Sequence, residues 1–289
     1  MIRKVESWLQ YDFSGKCVLV VGAGTGAESI VLASRGAKVY GIEPDDAALS
    51  ILRSKARLHN LRCENFISGV AEDIPFPDDL FDFVYCYTVL EHMKDVQRSI
   101  DEMIRVCKTG GLVFIQTPDY RFPNERHYKL AMIPFAPRWI QKLYFVLRRR
   151  PTEFLSSVNF LTEPKLNRIF WKRNVITIRI YEPVLSLWSR RSINYWFSHL
   201  FNVTNQQYVF LRKMPHPRRS SNEDRTHKSA SLDFTARPKT SLNYTRAELP
   251  SLAGEYPVQL SCATDSSEKY KTRSDRAAFH AWQEGTTQN

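Results

Sequence analysis

Three glycines at alternate positions, Gly22, Gly24 and Gly26, and one carboxylate, Glu43, are the residues whose types and spacing point most directly to chemistry. Glycine reaches positive φ in a tight turn and lets the backbone come close to a ligand. Free N–H groups where a helix begins favour polar or anionic ligand groups. A carboxylate closing the next apolar run accepts two hydrogen bonds from a ribose diol. The combination fits a nucleotide-type cofactor site. Gly22-x-Gly24-x-x-Ala27 also satisfies the dinucleotide fingerprint, with Glu43 about 20 residues on, so an NAD-dependent oxidoreductase is one reading. A glycine turn that holds nothing is another; three glycines and a well-placed acid make it the weakest.

These residues need a strand, a turn, a helix and a second strand to bring them together. The apolar run Cys17–Val21 predicts the first strand and Thr25–Arg35 the helix. Gly36 sits where a helix C-cap belongs, Lys38–Ile42 predicts strand two, and Asp45 and Asp46 can cap a helix running to about His59. Strand three is expected at Cys63–Ile67, strand four at Phe81–Tyr87, a helix at Val96–Cys107, a turn at Thr109–Gly111 and strand five at Leu112–Gln116. A leading helix is expected at Val5–Tyr11. Strict alternation of strand and helix implies right-handed crossovers and a parallel sheet. From Pro118 to Leu161 the alternation breaks in an insertion rich in Pro, Arg and aromatics. Beyond it come a helix from Thr162 to Lys172, a strand at Val175–Tyr181, an aromatic helical run at Val184–Phe201 and a closing strand at Gln207–Arg212.

With those elements in place, residues 14–117 resemble the class I S-adenosylmethionine-dependent methyltransferase family, closest to its small-molecule, quinone-type and glycan-related subgroup. Val18-Leu-Val-Val-Gly-Ala-Gly-Thr-Gly26 is similar to its first motif and Val39-Tyr-Gly-Ile-Glu-Pro-Asp45 to its second. Ala71-Glu-Asp-Ile-Pro-Phe-Pro-Asp-Asp-Leu-Phe-Asp-Phe-Val84 is similar to its third and fourth. Val89-Leu-Glu-His92 and Ile104-Arg-Val-Cys-Lys-Thr-Gly-Gly-Leu112 complete the series. The resemblance implies a Rossmann-like α/β fold: a seven-stranded, mostly parallel sheet with helices on both faces. It implies S-adenosyl-L-methionine as cofactor and methyl transfer to an oxygen of a small, lipid-linked or glycan acceptor. Gly22, Ala23, Gly24 and Gly26 would pack on its ribose and tail, and Glu43 would take the ribose hydroxyls. Ala71 and Glu72 would address the adenine edge, and Tyr87 and Thr88 would line the tail and methyl group. Two departures stand out. The family often carries an acid two residues before the first glycine and another just before the Ala-Glu pair; here those positions are Val20 and Val70. A catalytically degenerate methyltransferase fold acting as a binding partner is therefore a further alternative.

Chemistry on the acceptor would come from the segment after strand five, where ligands bind beyond the carboxyl ends of parallel strands. Asp119, Tyr120, Glu125, His127 and Tyr128 cluster there, and His127, with Tyr120 beside it, is the candidate general base. Glu91-His92 resembles part of a metal triad, but Thr88 stands where its first acid belongs, so no metal is expected and His92 is expected to pack beside strand four.

The charge of +11 and pI near 9.5 favour anionic partners. Leu130–Arg150 interleaves Trp, Phe, Leu and Tyr with Arg138, Lys142 and Arg148–Arg150, a pattern suited to a lid, a packed helix or peripheral contact with an acidic membrane surface. No base-methylation motif or RNA-binding module is present, which ranks nucleic acid below small molecules. Five scattered cysteines, no secretory leader and no apolar run near the ~20 residues of a membrane span predict a cytoplasmic protein. The expected organisation is a methyltransferase domain at 1–214, with the 118–161 insertion, then a basic Ser/Thr-rich tail at 215–289 expected to be largely disordered, in which Tyr256–Leu260 and Phe279–Trp282 could serve as short docking segments.

Overall fold

The structure is a computed structural model that describes residues 1–122, 124–125, 130–131, 138–149, 152, 158–181, 203–215, 242–243 and 258–263. Helix α1 (Ile2–Leu9) leads into β1 (Cys17–Val21), α2 (Ala27–Ser34), β2 (Lys38–Glu43), α3 (Asp46–Leu58) and β3 (Phe66–Ser68). Then follow β4 (Phe81–Tyr87), α4 (Val96–Val106) and β5 (Cys107–Pro118). A short hairpin, β6 (Asn124–Glu125) with β7 (Leu130–Ala131), precedes α5 (Arg138–Leu147), α6 (Glu163–Phe170), β8 (Val175–Ile180) and β9 (Gln206–Lys213). Two strands from the tail, β10 (Leu242–Asn243) and β11 (Val258–Ala263), are the last of the described elements.

The main sheet has the order β10-β11-β8-β9-β5-β4-β1-β2-β3. Neighbours from β3 to β5 are parallel, and β9 is antiparallel between β5 and β8. The seven strands β1–β5, β8 and β9 are thus the expected Rossmann-like sheet. The glycine loop follows β1, which lies between β4 and β2, and so sits at the carboxyl ends of the parallel strands, where such sheets bind ligands.

Each face of the sheet buries its own core. Leu19, Val21, Val84, Cys86, Val113 and Ile115 point to one side, against α4 and α6. Val18, Val20, Phe83, Tyr85 and Phe114 point to the other, against α1, α2 and α3. The period of two along β1, β4 and β5 dictates this division. Asp45 and Asp95 accept N–H groups in the first turns of α3 and α4, the capping that their sequence positions suggest.

Several boundaries differ from expectation for identifiable reasons. α1 ends at Leu9 because Gln10 turns left-handed (φ 50°). α2 begins at Ala27 because Gly26 is left-handed (φ 89°). β3 is shortened because Cys63–Asn65 form a 3₁₀ turn. β5 starts five residues before Leu112: Cys107 stands opposite Phe81 and Leu112 opposite Phe83, so the expected turn at Thr109–Gly111 is a bulge inside a paired strand. Gly110 takes φ +82° there. The helical run expected at 184–201 lies outside the described residues.

The tail supplies structure that composition did not predict. All six residues of β8 pair antiparallel with β11, from Val175 opposite Ala263 to Ile180 opposite Val258. β11 overlaps Tyr256–Leu260, one of the two expected docking segments; the other, Phe279–Trp282, lies outside the described residues. Without β11, the apolar strand Val-Ile-Thr-Ile-Arg-Ile would be an open sheet edge, a template for pairing between molecules. A chain truncated after Pro215 should therefore keep its helical circular dichroism yet self-associate in sedimentation velocity, where the full chain does not.

Candidate functional site

The glycine loop is fastened to the end of β2. Gly22 and Ala23 both donate their N–H groups to the Ile42 carbonyl, each at 3.0 Å. Glu43, the last residue of β2, is 8% exposed and spans two backbones. Its Oε2 accepts the Gly24 N–H at 2.7 Å and its Oε1 accepts the Asp45 N–H at 3.0 Å. The carboxylate thus faces the loop. Each oxygen retains a further lone-pair site for a ligand hydroxyl.

The three glycines serve different ends. A Cβ on Gly22 (φ +67°) would lie 2.6 Å from Val89 Cγ2, and one on Gly26 (φ +89°) 2.3 Å from Leu52 Cδ1. Those two let the loop close against the protein. Gly24 (φ +52°) has nothing within 4 Å of where a Cβ would stand. It borders open space.

Next to Glu43 lies a hollow of about 390 Å³, lined by Pro44, Ser68, Gly69, Val70, Asp73 and Pro75. It sits beyond the carboxyl ends of β2 and β3. Sequence reasoning missed Ser68 and Asp73. The Val70–Asp73 antiparallel bridge makes a tight turn of this stretch and brings both to the hollow. The expected adenine contacts fall differently. The Ala71 side chain is buried in the core. Glu72 Oε1 accepts the N–H groups of Lys94 (2.7 Å) and Asp95 (3.2 Å), and its carbonyl accepts Arg98 Nε. Glu72 therefore fastens the loop to the start of α4.

Tyr87 and Thr88 close β4 on the other side of the glycine loop. Thr88 is left-handed (φ 56°), a genuine outlier for a β-branched residue. It is held by its N–H to the Gln116 carbonyl at 2.9 Å and its hydroxyl to the Tyr87 carbonyl at 2.7 Å. Strain of this kind concentrates at binding sites.

The Glu91-His92 pair is the reverse of the expected arrangement. His92 is exposed, while Glu91 is fully buried, with Oε2 accepting the Thr117 hydroxyl at 2.9 Å. Among the described residues no group of His, Cys, Asp and Glu is arranged to hold a metal ion. Of the cluster after β5, Asp119 is buried and paired with Arg121 at 2.6 Å, and Arg121 reaches Glu163 at 2.8 Å. Tyr120 stacks on Phe160, centroids 4.9 Å apart. His127 and Tyr128 lie outside the described residues, and of Glu125 only the backbone is described.

The family model described as "Methyltransferase domain" matches residues 19–115, which span β1 to β5. Residues 19–115 are thus similar to a methyltransferase domain, and the sheet is that of the class I methyltransferase fold. The "Ubiquinone biosynthesis O-methyltransferase" of Pseudomonas fluorescens is 34% identical over 146 residues, covering 47% of this chain and 58% of that protein. The "Demethylmenaquinone methyltransferase" of Clavibacter sepedonicus is 32% identical over 131 residues, covering 44% and 52%. The chain thus spans little more than half the length of the curated relatives it matches. Among solved structures, a putative sarcosine dimethylglycine methyltransferase from Galdieria sulphuraria superposes with TM-score 0.52 at 14% identity, over 74% of this chain and 84% of that one. The PH0226 protein of Pyrococcus horikoshii superposes with TM-score 0.50 at 17% identity, over 73% and 90%. These likenesses support the fold.

The cofactor that the methyltransferase domain implies is S-adenosylmethionine. The residues present fit its nucleoside part: a buried acid with spare acceptor sites, open space at Gly24 and an adjoining hollow. Where the resembled family often carries an acid for the amino-acid end, Val20 stands 2% exposed within the core.

The loop bordering the hollow is held by Arg105. Its guanidinium donates to Glu102, Asp78 and the carbonyls of Ile74 and Phe76, and Glu102 also accepts the Ile74 N–H. The hydrogen bond from Arg105, opposed by burial and aided by the Ile74 N–H, holds the Glu102 carboxyl below its usual range. A lowered folded-state pKa stabilises above the unfolded value of about 4.3, and that stability is lost as pH falls through the folded value. Glu102→Gln should lower stability by about 1–2 kcal/mol at pH 7. Urea titrations of wild type and variant should converge as pH drops below about 4.

Proposed function

We propose that this chain is an S-adenosylmethionine-dependent methyltransferase acting on an oxygen of a small acceptor. The observation that carries the reading is the convergence of Glu43 on Gly24 beside open space and the 390 Å³ hollow. The relatives' names, which specify ubiquinone and demethylmenaquinone, support a quinone-type or lipid-linked acceptor over a glycan.

In this reading Glu43 receives the ribose hydroxyls, with the N–H groups of Gly24 and Asp45 holding its carboxylate in place. Gly22, Ala23 and Gly26 shape the loop that lies along the ribose and tail. The hollow lined by Ser68 and Asp73 takes the adenine, while Ala71 and Glu72 hold its wall from behind. Tyr87 and Thr88 line the tail and methyl end. The bound cofactor supplies an activated methyl group for in-line displacement, a reaction governed by positioning. His127 has the role of proton acceptor, with Tyr120 as its catalytic partner.

The test is equilibrium binding of S-adenosylhomocysteine by calorimetry. Glu43→Ala and Gly24→Ala should each weaken it at least tenfold. Gly24→Ala sets a methyl group in that open space but also strains a left-handed backbone position (φ +52°), so its loss is read beside that of Glu43→Ala. Binding of NAD⁺ without S-adenosylhomocysteine would make the chain an oxidoreductase; binding of neither would leave a fold retained as a partner.

The lipid-linked acceptor is supported by α5. Phe145 and Gln141 are buried against the protein, while Trp139, Leu143, Val146 and Leu147 are exposed, Leu147 to 73%. They form an outward apolar stripe at helical spacing, flanked by Lys142, Arg148 and Arg149. Such a face suits an anionic lipid surface. The protein should co-sediment with phosphatidylglycerol vesicles at low salt and not with phosphatidylcholine vesicles, and Leu143→Glu should abolish the binding.

A further inference from the structure

A row of polar groups crosses the sheet face that carries α1 and α2, at the carboxyl ends of β4 and β5. The register sets Tyr87 opposite Gln116, and Gln116 opposite Tyr208 on β9. Opposed residues share a face, so all three side chains emerge on one side. Tyr85 lies one step back on β4, opposite Val20 of β1, which leaves Gly22 of the loop level with Tyr87. Gln206 lies one step further along β9, opposite Pro118.

Three of these side chains are buried with polar atoms that have no hydrogen-bond partner. Gln116 is 1% exposed, Gln206 3% and Tyr85 fully buried. The atoms are Oε1 of Gln116, both amide atoms of Gln206 and the hydroxyl of Tyr85. Buried polar groups in folded proteins are nearly always satisfied, and apolar side chains of similar shape would avoid the penalty here. Unsatisfied groups from three adjacent strands on one face, reached from the glycine loop, mark a site whose ligand supplies the partners. Its walls are aromatic: Tyr87 stacks on Tyr85, and Trp8 of α1 lies 5.0 Å from Tyr208, ring to ring.

The group set contains no cation. Carboxamide oxygens accept, the carboxamide NH₂ donates and the phenol does either. The Glu28 carboxylate in the first turn of α2 adds to burial in raising the phenol's pKa. Lys4 Nζ stands over the outer wall, 5.9 Å from the Trp8 ring centroid, so an anion at the Tyr85 end of the row would meet like charge from Glu28. A neutral hydroxyl would find acceptors.

We propose that Gln116, Gln206 and Tyr85 read the hydroxyl groups of an uncharged hydroxylated ring, and so determine which acceptor the methyltransferase site takes. This rests on the functional reading above and names the chemistry that its acceptor must have. The three polar residues are specificity determinants that bind the ring and leave the proton transfer to other groups.

The test is a ligand-observed NMR titration of the full chain saturated with S-adenosylhomocysteine. The probes are catechol, methyl β-glucopyranoside and benzoate. Catechol or the glucoside should bind at least tenfold more tightly than benzoate, and whichever does so identifies the ring as arene or sugar. Gln206→Met and Gln116→Met should each weaken that probe at least tenfold. They should leave S-adenosylhomocysteine affinity unchanged and Tm equal or higher, because each removes an unsatisfied group from the ligand-free protein. The proposal is overturned if benzoate binds as well as the neutral rings, if neither ring binds, or if both variants bind as wild type does. A protein that binds S-adenosylhomocysteine but fails these tests loses this inference alone; one that fails to bind it loses the functional reading and this inference together.

Discussion

The site depends on one buried carboxylate. Glu43 is the terminal residue of β2, and burying its charge is unfavourable unless hydrogen bonds replace the lost water. The Gly24 and Asp45 N–H groups do so from opposite directions. One comes from the loop after β1 and the other from the start of α3, where the helix dipole also favours negative charge. Loop, strand and helix are thereby fixed to one another through a single side chain. The Ile42 carbonyl reinforces this by taking two N–H groups of the same loop. Without Glu43 the loop would keep its fold but lose its aim.

The two sheet faces are built to different standards. On the face that packs α4 and α6, polar groups are enclosed in paired networks. Arg121 joins Asp119 to Glu163, Glu163 accepts the Tyr181 hydroxyl at 2.6 Å, and Arg179 stands 3.9 Å from the same carboxylate. Two acids and two guanidiniums balance in charge. Such networks fix geometry more than they add stability, and here they set the path of the chain as it leaves β5. Across the sheet, the carboxyl ends of β4, β5 and β9 carry carboxamides and phenols that the protein leaves unpaired. The first face keeps an unpaired buried acceptor too, Gln207 Oε1, but its charged groups are joined in one network.

What the sequence disclosed follows the same physics. β1 and β4 run over the residues anticipated, Cys17–Val21 and Phe81–Tyr87, because apolar runs ended by glycine or a polar turn have few alternatives. The pairing of Glu43 with the glycine loop was legible because spacing alone fixes which strand end an acid occupies. Glu72 was not. Nothing in Ala71-Glu72 says whether the carboxylate faces the hollow or caps α4, since that depends on where α4 begins in space. The bulge at Lys108–Gly111 was hidden for a related reason: two glycines predict a turn, and only the partner strand shows that pairing continues across it. β11 was obscured by composition. A six-residue strand within a polar tail carries too weak a periodicity to stand out until β8 offers it an edge.

Val20 bears on how tightly a cofactor is gripped. The residue stands in β1 level with Gly41 on one side and Tyr85 on the other, wholly inside the core. A carboxylate there would have been a second buried charge within a few residues of Glu43, with the Tyr85 phenol beside it. Valine removes that desolvation penalty and lets β1 pack as a continuous apolar strand. The loop then owes its geometry to backbone hydrogen bonds and to the close approach of Gly22 to Val89. In the function proposed above, the grip on the nucleoside end would then rest on Glu43 and the hollow beside it.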